Sequence, residues 1–252
     1  MFVGCTSQMK DGPLNSRINV SKILDIQPKS LTRSKYGNPS SYIVNGKRYY
    51  ILKTARGYAK RGIASWYGTK FHGQLTSIRE PYNMLAMTGA SPVLPIPCFV
   101  RVTNLNNNRS VIIKINDRGP FTSNRIIDLS YAAAKKLDYV NKGTALVYVK
   151  AITFNHHHIS GHRTMLATVP STHSQKLFLQ LGAFYKFSHA KNLKIQLHDY
   201  IKNPILILKN IYCNYLPLYC VQIGPLQDIS ASNYLQKKLK KLGFREIVII
   251  VN

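Results

Sequence analysis

The sequence predicts a mainly β chain, with a small β-barrel domain followed by a small α+β domain. Short apolar runs of strand length, interrupted by one helix-like segment, fill residues 61–152 and are typical of a compact barrel. Towards the C-terminus a strand-then-helix pattern occurs twice, which predicts a sheet with helices on one face. With 252 residues and 45% apolar content, the chain is long enough to bury the cores of two such domains.

The first domain contains four apolar runs with the composition of β-strands. They cover residues 64–67, 99–103, 111–115 and 146–149. The three asparagines at 106–108 predict a hairpin between the middle two runs. Ser130 is suited to N-cap a helix over residues 131–137. Residues 49–52 predict a short strand that leads into the domain.

The second domain repeats its pattern at residues 179–184 and 221–226, 42 positions apart. Each copy predicts a strand followed by a helix. The first helix places Ala190, Leu193, Leu197 and Tyr200 on one face, and the second places Leu235, Leu239 and Leu242 on one face and ends at Gly243. A last strand over residues 245–251 completes a sheet whose other face is free for a ligand.

The remaining segments divide the chain into four parts. Residues 1–30 are predicted to be a polar N-terminal tether, 31–152 the lead-in and barrel, 153–174 a linker and 175–252 the second domain. The linker contains three consecutive histidines at 156–158. They are the one candidate for a metal site, but consecutive imidazoles cannot all face one ion, so a solvated linker is favoured and no metal is assigned.

The chain is strongly basic, with 35 Lys and Arg against nine acids and a formal charge of +26. An anionic or carbohydrate-rich polyanionic partner fits this charge, although compositional drift in an AT-rich genome is an alternative cause. An RNA-binding protein would fit the charge and the β-α-β repeat. The predicted strands lack the aromatic-rich signature on which bases stack, so no nucleic-acid partner is expected.

The four cysteines, Cys5, Cys98, Cys213 and Cys220, form no CxxC pair, which argues against a zinc or thiol-redox motif. Cys213 and Cys220 could pair in an oxidising compartment. No apolar run approaches the roughly 18 residues of a membrane-spanning helix. Residues 2–6 resemble the end of a bacterial lipoprotein signal, which predicts lipidation of Cys5. The charged and apolar regions that precede such a site are missing. Either the true start lies upstream or the signal has decayed, and a chance match to these few residues is the competing explanation.

Several long motifs carry a resemblance to a known family. They are GIASWYG at 62–68, FHG at 71–73, NDRGP at 116–120 and RIIDLS at 125–130. With the lead-in at 36–50, these motifs strongly resemble the rare lipoprotein A family, and the C-terminal repeat resembles the SPOR domain that many members carry. The resemblance covers nearly everything from residue 31 onward. The Cys5 motif fits it, because family members are usually lipoproteins.

The resemblance implies a six-stranded double-psi β-barrel and, in active members, lytic transglycosylase activity. Such enzymes cut the bond between N-acetylmuramic acid and N-acetylglucosamine without water: a carboxylic acid protonates the leaving oxygen and then helps to deprotonate the muramic C6 hydroxyl, which closes a 1,6-anhydro ring. No cofactor is implied. The SPOR domain implies affinity for peptide-free glycan at the division septum. The expected location is the cell envelope, facing the periplasm, with a membrane anchor at Cys5.

The resemblance assigns two site residues in the barrel. Asp117, in NDRGP, matches the catalytic aspartate, and Glu80 matches an acid that lines the cleft. On spacing alone, Asp117 would suit a turn equally well. A proton donor must be protonated near neutral pH, so burial or a neighbouring negative charge has to raise its pKa.

The sequence departs from the family at the position of a histidine, which is Ser91 here. Serine cannot hold a proton near pH 7 as imidazole does, and losing a positioned acid or base typically costs about 10²- to 10⁴-fold in rate. Residues 77–79 replace the smaller Ala-Ser-Gly of the family. His72 is the remaining histidine of the barrel, and we hypothesise that it does not substitute. A septal peptidoglycan-binding protein with impaired catalysis is therefore the second hypothesis.

Three residues of the second domain are candidates for glycan binding. Gln180 and Gln222 lie on the predicted strands, where their amides could bond sugar hydroxyls. Phe184 could pack under a sugar ring, with core packing as the alternative.

Overall fold

The computed structural model describes residues 11–13, 19, 23–122, 124–154, 176–212 and 216–251. The chain forms two compact units that divide between residues 170 and 171. The histidines at 156–158 and most of the predicted linker lie outside the described residues, as do Cys5 and Cys213.

The first unit contains eight strands and one α-helix. They are β1 (Ser41–Val44), β2 (Lys47–Tyr50), β3 (Ala59–Tyr67), β4 (Thr88–Ala90), β5 (Cys98–Asn104), β6 (Ser110–Asp117), β7 (Arg125–Ser130), α1 (Tyr131–Lys136) and β8 (Ala145–Ile152). The four predicted runs lie in β3, β5, β6 and β8, and β5 and β6 form the predicted hairpin. Ser130 caps α1 as predicted, because its hydroxyl accepts a hydrogen bond from the backbone N–H of Ala133 at 3.2 Å.

Six of these strands close into a barrel in the order β3-β7-β4-β6-β5-β8. The pairs β3·β7 and β4·β6 are parallel and the others are antiparallel. Alternate residues point inward, and Ile113, Ile115, Leu129 and Val147 have no exposed surface. The prediction of a closed six-stranded barrel is confirmed.

Outside the barrel, β1 and β2 form a separate two-stranded hairpin. Because β2 ends at Tyr50, the strand predicted over residues 49–52 is wrong in its second half, and Leu52 instead donates its N–H to the carbonyl of Val93 at 2.8 Å. We refer to residues 34–50, which pack on the barrel, as the lead-in.

The second unit is an antiparallel sheet with two helices. Its elements are β9 (Leu177–Phe184), α2 (Phe187–His198), β10 (Ile205–Tyr212), β11 (Leu216–Leu226), α3 (Ile229–Lys241) and β12 (Val248–Val251), and the sheet order is β10-β11-β9-β12. Both copies of the repeat are a strand followed by a helix, so the α+β prediction is confirmed. Tyr200 was wrongly placed on the buried face of α2: it follows the helix and is 54% exposed. The last strand begins at Val248 rather than at residue 245.

The two faces of this sheet differ in burial. The cross-strand pair Leu179 and Ile223 has no exposed surface, as expected beneath helices. The next pair, Gln180 and Gln222, points to the opposite face, where Val248, the neighbour of Gln180 on β12, is 51% exposed. On the face that carries the two glutamines, Gln222 is only 4% exposed, so this face is open mainly at its β12 edge.

Among the described residues, no helix is both long enough and apolar enough to span a bilayer.

Candidate active site

A row of side chains crosses four neighbouring strands on the outer face of the barrel. The register pairs Ser65 of β3 with Asp128 of β7, Asp128 with Ala90 of β4, and Ala90 with Asp117 of β6. Paired residues share a face, and Leu129, the neighbour of Asp128, faces the core. A β-bulge separates the pair Gly89–Ile115 from the pair Ala90–Asp117, so Asp117 departs from the inward alternation of β6 and joins the face of Ala90. Because adjacent strands lie about 4.8 Å apart, the Cα atoms of Asp117 and Asp128 are about 10 Å apart. Both carboxylates are partly exposed.

Asp117 ends β6 and is held by three donors that converge on one oxygen. Its Oδ1 accepts hydrogen bonds from the Ser77 N–H at 2.8 Å, the Ser77 hydroxyl at 2.6 Å and the Arg118 N–H at 2.8 Å. Ser77 belongs to the loop that also contains Glu80. Asp117 is therefore fixed beside this loop, at the surface, rather than buried in a local turn.

Glu80 forms an ion pair in the same part of the site. Lys114 Nζ lies 2.9 and 2.7 Å from its two carboxylate oxygens, and the Asn116 amide donates to Oε2 at 3.1 Å. Burial raises the pKa of Glu80, but the hydrogen bonds from Lys114 and Asn116 and the charge of Lys114 outweigh it, so the pKa is lowered overall. Glu80 is thus held as a carboxylate. It suits the binding of a hydroxyl or cation better than proton donation.

Asp128 has the electrostatic properties of a proton donor. Its Oδ1 accepts a hydrogen bond from the Ser65 hydroxyl, which in turn accepts one from Arg125 at 2.8 Å. Burial raises the pKa of Asp128; the Ser65 hydrogen bond and the Arg125 charge oppose this, the charges of Asp11 and Asp117 add to it, and the net shift is upward. Asp128 lies in the RIIDLS motif, but the resemblance to the family assigned it no role.

The signal that identifies Asp128 was present in the sequence. Within RIIDLS, Ile127 and Leu129 are apolar and Asp128 lies between them, which is the alternation of a half-buried strand. Recognising β7 from this pattern would have placed Asp128 on the outer face.

Ser91 follows β4 directly and is only 1% exposed. Its N–H donates to the carbonyl of Asp117 at 3.0 Å, while its hydroxyl accepts from the N–H groups of Val93 and Leu94 at 3.4 and 3.2 Å. The Ser91 side chain thus stabilises the turn to which Ser91 belongs. His72 is exposed and accepts from the Met84 N–H at 3.2 Å, so its described contacts do not link it to Asp117.

Arg118 fastens the lead-in to the barrel next to Asp117. Its guanidinium donates to the carbonyls of Gly37 at 2.7 Å, Ser91 at 3.0 Å and Leu94 at 2.5 Å, and to Asn38 Oδ1 at 3.0 Å. One side chain therefore joins three segments that are distant in sequence.

An aromatic cluster stands beside the NDRGP loop. Tyr42 stacks on Tyr49 with ring centroids 5.4 Å apart, and Phe121 meets both rings edge-on at 6.0 and 5.7 Å. The Tyr42 hydroxyl donates to the carbonyl of Pro92 at 2.8 Å, and burial raises its pKa to about 12. The lead-in thus supplies an aromatic wall, neutral at physiological pH, of the kind on which sugar rings pack.

Three buried polar atoms in this part of the barrel lack a well-formed hydrogen bond within the described part of the chain. They are the Tyr67 hydroxyl, Thr88 Oγ1 and Asn116 Oδ1. Burial, then the charges of Tyr82, Asp117 and Asp128, raise the pKa of Tyr67, and the Thr88 hydroxyl opposes this increase. Tyr67 therefore stays protonated near both aspartates. Unpaired buried polar groups are rare and mark places where a ligand or water binds.

The loop that departs from the family has its own contacts. Arg79 has φ of +67°, a left-handed conformation that favours glycine, which the family has at this position. Its guanidinium lies 3.9 Å from the centre of the Tyr36 ring, a cation–π contact that helps to hold it there.

In the second unit, the Gln222 amide donates to Gln180 Oε1 at 3.1 Å, and Gln222 Oε1 is buried without a partner among the described residues. Phe184 is separated from this pair: a Cβ atom on Gly182 would lie 3.0 Å from the Phe184 ring and 4.0 Å from Leu193 of α2. The structure brings the two glutamines together and places Phe184 towards the helix.

The described residues contain no cluster of three or more His, Cys, Asp or Glu side chains that could hold a metal ion. Cys220 is buried. Lipidation of Cys5 and pairing of Cys213 concern residues outside the described part.

The sequence profile of the lytic transglycolase family matches residues 59–149, which begin with β3 and end within β8. The barrel is therefore similar to this family over nearly its whole length. Its fold is the double-psi β-barrel that the motifs implied, and the three acids Glu80, Asp117 and Asp128 lie within the matched residues.

Curated relatives of this family domain extend the match. The chain is 52% identical over 143 residues to the endolytic peptidoglycan transglycosylase RlpA of Pseudomonas aeruginosa, covering 57% of this chain and 41% of the relative. It is 44% identical over 159 residues to the Vibrio cholerae protein of the same name, covering 61% and 60%. The chain thus spans between about two fifths and three fifths of the length of these relatives.

Among solved structures, the RlpA SPOR domain from Pseudomonas aeruginosa covers 29% of this chain and 96% of its own, with 24% identity and a TM-score of 0.28.

Proposed function

We propose that the barrel is a lytic transglycosylase, a carbon–oxygen lyase that cuts the bond from N-acetylmuramic acid to N-acetylglucosamine in peptide-free glycan strands. The relatives that are 52% and 44% identical over 143 and 159 residues are named endolytic peptidoglycan transglycosylases. The observation that carries the proposal is the outward-facing row Asp128–Ala90–Asp117, in which burial raises the pKa of one of the two carboxyl groups.

The proposed reaction uses the two aspartates in different roles. Asp128, protonated, gives its proton to the glycosidic oxygen as the bond to C1 of muramic acid breaks. The C6 hydroxyl of the same sugar attacks C1 and loses its proton to Asp117, held by Ser77 and Arg118, and the 1,6-anhydro ring closes. A proton passing from Asp117 back to Asp128 restores the enzyme. No water is consumed, and no second nucleophilic carboxylate is needed.

The remaining groups bind the strand. The Glu80 carboxylate and the Asn116 side-chain oxygen offer acceptors for sugar hydroxyls, while the Lys114 ammonium and the protonated Tyr67 hydroxyl offer donors. The aromatic wall of the lead-in offers a surface for one sugar face. These contacts would hold the scissile bond against the row, which is how positioning lowers a barrier.

The test is digestion of purified peptide-free strands, with mass spectrometry of the products. Wild-type protein should give 1,6-anhydro ends, whereas Asp117→Asn and Asp128→Asn should each lower the yield by about 10²-fold or more. Lys136→Met, which removes a charge that pairs with Asp25 at 2.5 Å away from the row, is the matched control and should leave the yield unchanged. Reducing ends without anhydro ends would show hydrolysis and refute the mechanism.

A specific observation supports a second candidate, a peptidoglycan-binding protein with impaired catalysis. Ser91 stands where the family has a histidine, and its hydroxyl accepts hydrogen bonds from Val93 and Leu94 of the same turn. The described contacts of the row therefore include no imidazole. On this hypothesis wild-type protein sediments with intact strands without cutting them. Ser91→His would then raise the yield of anhydro ends. Rapid cutting by the wild type would exclude this candidate.

We infer that the second domain targets the barrel to peptide-free glycan at the septum, through the open face that carries Gln180 and Gln222. Gln222→Leu should lower sedimentation with strands, while Lys202→Met, on an exposed loop, should not. If a fluorescent fusion stays at the septum in Gln222→Leu, the targeting role is refuted.

We also propose a periplasm-facing membrane anchor at Cys5. A Cys5→Ala variant tests it: wild-type protein should incorporate a labelled fatty acid in cells, and the variant should not.

A further inference from the structure

A carboxylate is bound by backbone N–H groups at the loop that follows β3. Asp11 Oδ1 accepts hydrogen bonds from the N–H groups of Gly68 at 3.0 Å and Lys70 at 3.2 Å, and Asp11 Oδ2 lies 3.3 Å from the Gly68 nitrogen. The intervening Thr69 N–H and hydroxyl donate to the Gly12 carbonyl at 3.0 and 3.2 Å. The carboxylate is thus bound by the N–H groups of Gly68 and Lys70, which flank Thr69, and backbone N–H groups that converge in a turn are a recurrent anion-binding arrangement.

The loop is shaped for the close approach of another group. A Cβ atom at Gly68 would collide with the Gly12 carbonyl oxygen, although φ at Gly68 is not in the left-handed region. Glycine is therefore needed here for space rather than for backbone conformation. Gly68 closes the motif GIASWYG, which contains Ser65 of the row and Tyr67.

The bound carboxylate belongs to the electrostatic surroundings of the row. The charges of Asp11 and Asp117 both raise the pKa of Asp128, and both also raise that of Tyr82. Tyr82 stacks on Tyr67 with centroids 4.1 Å apart. A negative group at the Gly68–Lys70 loop therefore lies close enough to the row to act on it, as a substituent of a bound sugar would.

We propose that the Gly68–Lys70 loop is a carboxylate subsite of the glycan groove, occupied in the free protein by Asp11 in place of the lactyl carboxylate of peptide-free muramic acid. The proposal rests on the proposed glycan substrate. In a peptide-bearing strand the same lactyl group is an amide, which is neutral and carries a bulky substituent. The loop therefore selects strands from which the peptide has been removed.

On this assignment Asp11 competes with the glycan for the Gly68–Lys70 loop. The Asp11 carboxylate and the lactyl carboxylate need the same N–H groups, so Asp11 must leave when the strand binds. Free protein therefore binds carboxylated strands more weakly than the loop alone would allow, because displacing a tethered competitor reduces the apparent affinity.

The experiment compares two glycans that differ only at this group: peptide-free strands, and the same strands with the lactyl carboxylates converted to methylamides. Binding is measured in an Asp117→Asn background, so that the glycan stays intact. Asp11→Asn should tighten binding of the carboxylated strands about tenfold, the effect of one hydrogen bond to a charged group, and leave binding of the amidated strands unchanged. Asp25→Asn, the same change at an exposed acid of the N-terminal segment, should alter neither.

The outcomes separate this inference from the proposed function. Equal effects of Asp11→Asn on both glycans, or none on either, would overturn the carboxylate subsite, whether or not the wild type makes anhydro ends. A carboxylate-specific effect without any anhydro product would keep the subsite and refute the lyase activity.

Discussion

Replacing Arg118 by Met should destabilise the barrel through the loss of the lead-in. The guanidinium makes four hydrogen bonds, three of them to backbone carbonyls, at 2.5 to 3.0 Å. Methionine keeps most of the length and apolar contact of the side chain but donates nothing. The carbonyls of Gly37, Ser91 and Leu94 would then lose this donor at positions shielded by the lead-in.

The magnitude follows from the burial of these carbonyls. A buried acceptor left without a partner costs about 1–3 kcal/mol. Three such acceptors give the largest possible loss of stability, and water that enters the partly exposed site makes the actual loss smaller. We expect a loss of about 3–5 kcal/mol for the three carbonyls together. At about 2 kcal/mol per M of urea, the unfolding midpoint of the barrel should fall by roughly 2 M.

The single tryptophan makes the measurement specific to the barrel. Trp66 lies on β3, its Nε1 donates to the Val140 carbonyl at 3.2 Å, and the chain has no other tryptophan. Its fluorescence therefore follows the barrel even if the second unit unfolds separately. The control is Arg48→Met, an exposed arginine of the same lead-in that donates to the Ser41 hydroxyl at 3.0 Å. If both variants shift the midpoint equally, the hydrogen bonds of Arg118 do not stabilise the barrel.

Three further predictions concern the carboxyl groups. Ser77→Ala should lower kcat about tenfold at constant KM, because Asp117 loses one hydrogen bond worth about 1.5–3 kcal/mol but keeps its backbone donors. Lys114→Met should raise the pKa of Glu80, read by carbon NMR of the carboxyl groups of the chain's two glutamates. Ser65→Ala should raise the pKa of Asp128 further, because the Ser65 hydrogen bond lowers it, and should move the alkaline limb of the activity profile to higher pH.

Controls for these variants come from the same residues or from the same strand. Ser77→Thr keeps the hydroxyl and should restore kcat. Lys114→Arg keeps the charge and should leave the pKa of Glu80 low. Because this pKa is depressed in the folded state, the ion pair stabilises at neutral pH, and its contribution, about 0.5–1 kcal/mol for a half-exposed pair, is lost as pH falls through the folded value. An alkaline limb that stays in place in Ser65→Ala would remove Asp128 from the role of proton donor.

The fold could be predicted wherever a strand or helix has a recognisable pattern of apolar residues in its own sequence. Strands β3, β5, β6 and β8 alternate or form apolar runs, so local composition identifies them. Strand β4 is only Thr88–Ala90, too short for a period, and it forms because β6 and β7 offer free edges on both sides. Tyr200 fits the helical spacing, but α2 ends before it, since a spacing rule does not say where a helix stops.

The sequence predicts which motif residues belong to the site, but not which side chains these residues contact. Asp117 and Glu80 follow from the motifs, but the pairing of Glu80 with Lys114 depends on how a loop folds against β6, which no local pattern encodes. The structure also gives a physical account of Ser91. Its hydroxyl is committed to Val93 and Leu94, so the loss of the histidine leaves a well-formed turn rather than a gap.

The charge of the chain and the chemistry of its site act over different distances. With 35 basic and nine acidic side chains, the protein has a positive field that would favour ionised carboxylates, yet it is screened within about 8 Å at physiological ionic strength. The burial that raises the pKa of Asp128 is local and is not screened in this way. A carboxyl group with a raised pKa can therefore persist in a strongly basic protein. On the proposed function, the field of the Lys and Arg side chains would attract a polyanionic strand, and the row Asp128–Ala90–Asp117 would carry the catalysis.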